Sequence, residues 1–188
     1  LQGGYREYRR EVLKQLEALP RFDFRVVCGA TGSGKSRLLE ALAAQGAQVL
    51  DLERLASHRG SLLGELPGEP QPSQKMFDSL VWKTLKGFDS DRPVYVEAES
   101  KKIGQLQVPA KLLERMREGE CMRLEVPAAE RVRFLIGEYK HFLTEPARLK
   151  EKLKRLTAHY GHAVIERWLG QADSGAWLSS VTRLFRFP

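Results

Sequence analysis

The stretch Gly29-Ala30-Thr31-Gly32-Ser33-Gly34-Lys35-Ser36 has the pattern G-x-x-x-x-G-K-S. Glycines permit positive φ and close backbone approach, so successive N–H groups can point at phosphate oxygens. The lysine brings a mobile positive charge to the outer phosphates, and the serine hydroxyl can bind Mg²⁺. The stretch therefore predicts a phosphate-binding loop, with Gly29, Thr31, Gly32, Ser33, Gly34 and Lys35 around the phosphates and Ser36 on the metal.

The residues on either side fit a strand before this loop and a helix after it. Residues 22–28 end in an apolar run, as expected for a buried parallel strand, and leucines at helical spacing continue up to Gly46. The dinucleotide fingerprint G-x-G-x-x-G is excluded, because Arg37 stands three residues after Gly34. We therefore predict an α/β fold, a P-loop NTPase-like parallel sheet with flanking helices and a C-terminal helical appendage.

Length and composition limit the possible classes of protein. A chain of 188 residues suits one α/β domain, and its net charge of +7 favours a polyanionic partner without establishing one. The two cysteines, Cys28 and Cys121, fall in predicted strands and are expected to be buried core thiols. Without a signal peptide, a C-x-x-C motif or an apolar run of membrane length, we expect a reduced, cytoplasmic protein with no membrane contact.

Acidic side chains end two further predicted strands. Residues 47–53 form the second predicted strand, with Asp51 and Glu53 near its carboxyl end, and residues 92–100 form the third, which ends in Glu97 and Glu99. Open α/β sheets bind ligands at this edge, and P-loop proteins place an acidic residue there for Mg²⁺. Of these carboxylates, Asp51, Glu97 and Glu99 are the candidate metal ligands. The alternative for the two glutamates is that they only end a strand that faces solvent.

The rest of the chain is predicted to be mainly helical. Helices are expected over residues 1–19, after the cap at 71–74, and over 109–116 and 128–143, with a fourth strand at 121–126. Arg131 and Arg133 lie where many P-loop kinases carry phosphate-binding arginines; alternatively they are surface charges. The predicted organisation is a linker helix (1–20), a P-loop core (21–143) and C-terminal helices (144–188).

Two basic clusters are candidates for contact with a phosphate backbone. Lys101-Lys102 follow the third strand directly, and the alternative is a solvated turn. The predicted helix at residues 147–160 has a buried stripe of Leu149, Leu153, Leu156 and Tyr160, and its basic residues off that stripe include Arg148, Lys152 and Arg155. The alternative is again a solvated face.

Several function classes lack support. The chain contains no Asn, so it has no N-K-x-D guanine motif, and its four histidines are too scattered to suggest a metal-thiolate or Ser-His-Asp site. The residues alone therefore predict a P-loop domain that uses a phosphorylated small molecule and Mg²⁺.

Several blocks of the sequence resemble one known family. They are Gly3-Gly4-Tyr5 with Tyr8-Arg9, the loop at 29–36, V-L-D-L-E-x-L-A-x-H-R-G-S at 49–61, Q-P-S-Q-K-x-F at 71–77 and V-E-x-E-S-x-x-I-G at 96–104. Together they look like the C-terminal P-loop domain of bacterial tRNA 2-selenouridine synthase, over about residues 3–170. Where the family usually ends in H-Y-D-P-x-Y, this chain has residues 179–188 instead, so the role of that segment, a final strand or a tRNA contact, is open.

The resemblance implies a reaction on tRNA with 2-thiouridine at the wobble position. A geranyl group passes from geranyl diphosphate to the sulfur, and selenium from selenophosphate then replaces it. The selenium step uses a cysteine of an N-terminal rhodanese-like domain that precedes the region resembled here. Neither Cys28 nor Cys121 corresponds to that cysteine, so this chain is expected to perform only part of the reaction.

The resemblance also implies roles for the family's polar blocks. His58 and Arg59 are expected to act in catalysis with Lys35, and the acceptor or leaving-group side is expected to involve Gln71, Ser73, Gln74 and Lys75. Two alternatives share the loop and the Mg²⁺ carboxylate. One is an ATP-dependent small-molecule or nucleoside kinase, and the other is a tRNA-binding P-loop module that uses nucleotide only as a structural or switching ligand.

Overall fold

The computed structural model describes residues 4–61, 64–66, 68–139 and 146–173. The predicted C-terminal segment at 179–188 and the end of the predicted helix at 128–143 lie outside these residues. In chain order the elements are α1 (Gly4–Glu17), β1 (Phe24–Cys28), α2 (Lys35–Ala44), β2 (Gln48–Leu50), α3 (Leu52–Leu55), α4 (Gln74–Lys86), β3 (Val94–Glu97), β4 (Lys102–Ile103), β5 (Leu106–Gln107), α5 (Ala110–Glu118), β6 (Glu120–Arg123), α6 (Ala128–Glu138), α7 (Pro146–Arg155), α8 (Thr157–Tyr160) and α9 (His162–Asp173).

Contacts between residues group the chain into two compact units. The first contains Leu1–Gly29 and Lys35–Leu124, and the second contains Ala30–Gly34 and Glu125–Pro188. The division into residues 1–20, 21–143 and 144–188 stays a prediction. None of the helices in the described part of the chain is both long and apolar enough to cross a membrane.

The first unit is built on a parallel sheet of four strands in the order β2-β3-β1-β6. Val26 of β1 lies opposite Val96 of β3 on one side and Cys121 of β6 on the other. All three pairings are parallel, so the strands end at the same edge of the sheet. This confirms the predicted α/β class with a parallel sheet and flanking helices.

Apolar residues of both the sheet and the helices form the core of this unit. Phe24, Val26 and Val96 are buried with side chains from α1, α4 and α5. The N-terminal helix belongs to this core, since its Val12 and Leu16 are buried and Tyr8 packs edge-on against Trp82 of α4. The apolar residues of β1 and β3 are largely buried, so these two strands could be predicted from their apolar runs.

The second strand is shorter than predicted. It stops at Leu50, and Asp51 then caps the short helix α3 by accepting a hydrogen bond from the backbone N–H of Arg54, at 2.8 Å. Aspartate competes for backbone N–H groups in this way, so it favours a helix start over a continued strand.

A two-stranded antiparallel hairpin, β4–β5, was not predicted from the sequence. It follows β3, and Gly104 at its turn has φ of +59°, a conformation that favours glycine. Each strand has only two residues, too short to show a clear period of alternation.

The described residues of the second unit include the four helices α6, α7, α8 and α9. Leu149, Leu153 and Leu156 are buried as predicted, but Tyr160 is 37% exposed, because a separate short helix, α8, begins at Thr157. Lys152, expected on an exposed basic face, is only 6% exposed. The side chain of Arg148 lies outside the described residues.

The N-cap of helix α4 contributes to the stability of the fold, and a substitution can test this contribution. Ser73 is its N-cap, and the Ser73 hydroxyl accepts a hydrogen bond from the backbone N–H of Met76 at 3.3 Å. Replacing Ser73 by Ala is expected to lower the free energy of unfolding by about 1 kcal/mol, because one N–H at the helix start loses its partner. Urea denaturation measures this, with Ser79→Ala in the same helix as the control. Equal effects of the two changes would contradict the capping role.

Candidate functional site

The acidic and basic residues predicted to act together meet at the carboxyl edge of the sheet in the first unit. The strand β1 ends directly before Gly29, β2 ends before Asp51, and β3 ends at Glu97. Because β1 and β3 are neighbours and β2 borders β3, these three strand ends are adjacent. The topology therefore explains why residues far apart in the sequence form one cluster.

Two residues at the end of the glycine loop belong to this cluster. The Lys35 ammonium donates a hydrogen bond to the carbonyl oxygen of Gly29 at 3.0 Å, so the charge folds back over the loop. The Ser36 hydroxyl donates to the Glu53 carboxylate at 3.1 Å. A hydroxyl paired with a carboxylate at the start of the loop's helix is the arrangement that Mg²⁺ uses in P-loop proteins.

The middle of the loop, Ala30–Gly34, groups with the second unit. Gly32 has φ of +82°, and the Arg131 guanidinium donates a hydrogen bond to the carbonyl of Thr31 at 3.1 Å. Arg131 thus contacts the loop backbone, whereas Arg133 forms an exposed ion pair with Glu130 at 2.7 Å. The hydroxyl of Ser33 is buried and has no hydrogen-bond partner within the described residues. A direct role of either arginine toward phosphate stays a prediction.

Glu97 is the most buried carboxylate of the cluster, with 2% of its surface exposed. Its Oε1 accepts a hydrogen bond from the backbone N–H of Glu53 at 2.8 Å, and its Oε2 has no partner within the described part of the chain. A buried acceptor without a partner is costly. This oxygen is therefore poised to accept a proton or a ligand.

Glu53 was not among the residues predicted to hold the metal, although it is the carboxylate that binds Ser36. The expected candidate, Asp51, is occupied as the cap of α3. Glu53 lies in the first turn of α3, and its carboxylate accepts the hydrogen bond from Ser36. The sequence shows two acidic residues, Asp51 and Glu53, near the end of the predicted strand. Which of them meets Ser36 depends on the residue at which β2 ends.

Burial and mutual repulsion raise the pKa values of this cluster. Burial raises the pKa of Glu97 well above its ordinary value, and the charge of Asp51 raises it further. Burial raises the pKa of Glu99 to about 7, aided by the charge of Glu53 and opposed by Lys35. Burial also raises the pKa of Asp51, although a hydrogen bond from the Arg54 N–H lowers it in part. Burial likewise raises the pKa of Glu53, although a hydrogen bond from the Ser36 hydroxyl lowers it in part. A cation bound among these carboxylates would offset their mutual repulsion and would lower their pKa values.

This charge pattern predicts how stability depends on pH. The Glu99 carboxyl keeps its proton up to about pH 7 in the folded chain and loses it near its ordinary value of 4.5 when unfolded. The folded state then binds more protons between these values, so the free energy of unfolding falls as pH rises from about 4.5 to about 7. Glu99→Gln is expected to reduce this fall, as measured by urea denaturation at pH 5 and pH 8. The exposed Glu118→Gln is the control, and an unchanged pH profile in Glu99→Gln would contradict the assignment.

The H-R-G-S block forms a tight loop beside the carboxylates. Its start is fixed by the end of α3, where the N–H groups of Ser57 and His58 donate to the carbonyls of Arg54 and Glu53. At Gly60, with φ of +43°, an added Cβ would meet the carboxylate of Glu53 and would lie 3.0 Å from that of Glu99. Glycine is therefore required here because two carboxylates approach the backbone closely.

The two predicted catalytic residues of this block lie in different surroundings. His58 is only 5% exposed, and its ring lies next to Gly104 of the hairpin turn. Arg59 is half-buried, and its positive charge acts on the Glu53 carboxylate. Arg59 thus belongs to the site's electrostatics, whereas the burial of His58 suits a role in holding the loop. Their catalytic roles stay predictions.

The Q-P-S-Q-K block makes structural contacts within the first unit. The side chain of Gln71 forms hydrogen bonds with the backbone of Ala56 and of the hairpin. The side chain of Gln74 donates a hydrogen bond to the carbonyl of Gln107 and accepts one from its N–H. Ser73 caps α4. Lys75 lies over the ring of Tyr5, with the ammonium 5.9 Å from its centroid. Contacts of these four residues with substrate stay predictions.

The cysteines differ from their predicted state. Cys28 of β1 and Cys121 of β6 form a disulfide, with Cα atoms 6.2 Å apart, so the expectation of two reduced thiols is wrong. Nor are they buried: Cys28 is half-buried and Cys121 is exposed, because β6 is an edge strand whose four residues are all exposed.

A Mg²⁺ ion fits the donor set at this edge. Within the described residues, no three His, Cys, Asp or Glu side chains are arranged to hold a metal by themselves. However, Mg²⁺ usually takes one or two protein ligands and fills its shell with water and substrate phosphates. Ser36 and Glu53 supply such a pair, and the open oxygen of Glu97 is a further acceptor.

Comparison with known proteins identifies a matching family model and several similar chains. A family model described as the tRNA 2-selenouridine synthase AAA domain matches residues 22–172. The chain is 38% identical over 142 residues to a tRNA 2-selenouridine synthase of Marinobacter nauticus, covering 74% of this chain and 37% of that protein. It is 31% identical over 178 residues to one of Shewanella sediminis, covering 93% and 46%. The chain thus spans less than half the length of these relatives, and no solved structure gives a significant match.

Proposed function

Because the chain belongs to the tRNA 2-selenouridine synthase family, we propose that it acts on 2-thiouridine at the wobble position of tRNA. The proposed step is the transfer of a geranyl group from geranyl diphosphate to the sulfur of this base. This makes the chain a transferase for part of the family's reaction. Replacement of the S-geranyl group by selenium from selenophosphate would require the rhodanese-like domain in the same protein.

The observation that carries the proposal is that the Lys35 ammonium and the Ser36 hydroxyl lie together at the carboxyl edge of the sheet. The ammonium donates a hydrogen bond to the Gly29 carbonyl, and the hydroxyl donates one to the Glu53 carboxylate. A diphosphate leaving group needs positive charge where its own negative charge increases as the bond breaks. In the proposed complex, the Lys35 ammonium exchanges the Gly29 carbonyl for the diphosphate oxygens.

The proposed step needs little from the protein beyond placement and charge. The thiocarbonyl sulfur forms a bond to C1 of the geranyl group with its own electron pair, while the C1–O bond breaks and diphosphate leaves. Lys35 and the loop N–H groups stabilise the departing oxygens, and Ser36 with Glu53 would hold Mg²⁺, which supplies further positive charge when bound. The N3 proton of the alkylated base is released to solvent.

Calorimetry tests which ligand the loop takes. We expect geranyl diphosphate to bind in the presence of Mg²⁺ more tightly than ATP does. Inorganic diphosphate serves as the control that separates binding of the phosphates from binding of the prenyl chain. Tight binding of ATP with no response to geranyl diphosphate would contradict the prenyl-transfer proposal and favour the kinase or the nucleotide-binding module.

A further inference from the structure

The hairpin formed by residues 100–108 has one apolar and one polar surface. Its inward side chains are buried in the core of the first unit, and they are Ile103, Leu106 and Val108. Its outward side chains are exposed, and they are Lys101, Lys102, Gln105 and Gln107. The outward surface is thus made only of groups that donate or accept hydrogen bonds.

Two glutamine side chains hold this hairpin in place. Gln71 donates to the carbonyl of Ile103 at 3.0 Å and accepts from the N–H of Gln105 at 2.8 Å. Gln74 donates to the carbonyl of Gln107 at 2.9 Å and accepts from its N–H at 2.8 Å. A surface fixed before binding loses less conformational entropy when a partner docks.

The charge of the hairpin has one sign. Residues 100–108 contain two lysines and no acidic residue, and neither ammonium forms an ion pair within the described part of the chain. By contrast, α7 in the second unit has Lys152 buried and Arg155 paired with Glu151 at 2.6 Å. Lys101 and Lys102 are therefore better candidates for contact with a polyanion than Lys152 and Arg155.

The hairpin also starts next to the proposed reaction site. Lys101 follows Glu99 by two residues, a span of about 7 Å in an extended chain. The positive charge of Lys35 acts on the Glu99 carboxylate. A polymer bound along the hairpin would therefore pass close to the loop that is proposed to hold the diphosphate.

We propose that the outward surface of residues 100–108 binds the RNA backbone. Lys101 and Lys102 contact phosphates, and the Gln105 amide hydrogen-bonds the sugar-phosphate chain, as lysine and glutamine commonly do in nucleic-acid complexes. An exposed pair of lysines beside amides suits phosphate and ribose better than an acidic protein surface, because it offers both charge and neutral hydrogen bonds. The identity of this RNA as tRNA rests on the proposed function.

The test is the salt dependence of tRNA binding by the whole chain. Fluorescence anisotropy with tRNA that carries wobble 2-thiouridine gives the dissociation constant at several salt concentrations. Loss of two phosphate contacts in Lys101→Ala/Lys102→Ala is expected to weaken binding and to reduce the slope of log K against log salt by about 2. The control is Lys83→Ala/Lys111→Ala, which removes the same charge from helices α4 and α5.

Each outcome supports or overturns the proposal that the hairpin binds RNA. A smaller slope in the hairpin variant alone, with geranyl diphosphate binding unchanged, supports it. An unchanged slope, or an equal loss in the control variant, overturns it. If the unaltered chain binds no tRNA, the tRNA substrate and the hairpin proposal both fail, whereas loss of geranyl diphosphate binding alone counts only against the proposed chemistry. Competition by an acidic polypeptide as strong as by RNA would also overturn it.

Discussion

Replacing Lys35 by Ala is expected to weaken the binding of geranyl diphosphate by about 30-fold or more. Removing one partner of a close charge pair typically costs 2 kcal/mol or above, which corresponds to about that factor. Within the described residues, the Lys35 ammonium hydrogen-bonds the Gly29 carbonyl, and its charge acts on the carboxylates of Glu53 and Glu99. Lys35 is not part of the apolar core, so we expect the fold itself to lose little stability. Binding and stability are therefore expected to respond very differently.

Two measurements separate these effects. Calorimetry with geranyl diphosphate gives the affinity, and urea denaturation of the ligand-free variant gives the free energy of unfolding, which we expect to change by less than about 1 kcal/mol. Lys83→Ala, an exposed lysine of α4, controls for the loss of one positive charge. An affinity in Lys35→Ala equal to that of the control variant would remove the loop lysine from the mechanism.

Replacing Gly32 by Ala is expected to cause the largest loss of stability of any single change in the loop. A Cβ at this position would lie 2.7 Å from Cγ of Leu135 and 2.9 Å from the carbonyl oxygen of Arg131, both in α6. Such approaches force the neighbours to move, at a cost of about 1–3 kcal/mol, and the positive φ adds about 1 kcal/mol for any residue with a Cβ. The expected loss is therefore about 2–4 kcal/mol.

Gly46 offers a matched control for this change. It has the same φ of +82°, but an added Cβ there would meet nothing within 4 Å. Gly46→Ala should therefore show the backbone cost alone, about 1 kcal/mol. Thermal or urea denaturation compares the two variants. Equal losses in Gly32→Ala and Gly46→Ala would show that the packing of the loop against α6 contributes nothing.

The sequence was sufficient to predict the elements that carry strong local signals. The loop at 29–36 combines fixed spacing with an apolar strand before it, and the structure places that strand at the centre of a parallel sheet. The helix start predicted at 71–74 is also confirmed, because Ser73 caps α4. These features depend on neighbouring residues, so periodicity and capping rules find them.

Features that depend on contacts between distant residues were missed. The hairpin at 100–108 is held by Gln71 and Gln74, about 30 residues earlier in the chain, and its own strands are too short to give a pattern. Glu53 was passed over for Asp51, because a one-residue difference in where β2 ends decides which side chain meets Ser36. The burial of Lys152 likewise depends on packing that a helical stripe does not specify.

The specific blocks of the sequence are explained by these long-range contacts. His58 and Gln71 both lie against Gly104, so the H-R-G-S, Q-P-S-Q-K and E-S-x-x-I-G segments form one connected structure. Gly104 needs its positive φ, and a Cβ there would meet the Gln71 side chain. The resemblance to a family drew attention to these three segments. Their physical role is to place the hairpin and the acidic cluster.

The most direct test of prenyl transfer is a product assay. The chain is incubated with Mg²⁺, geranyl diphosphate and tRNA that carries wobble 2-thiouridine, and the nucleosides are then analysed by mass spectrometry. We expect 2-thiouridine to be converted to a nucleoside heavier by one geranyl group, and Lys35→Ala to form far less of it than Lys83→Ala. Unchanged 2-thiouridine with the unaltered chain would contradict prenyl transfer.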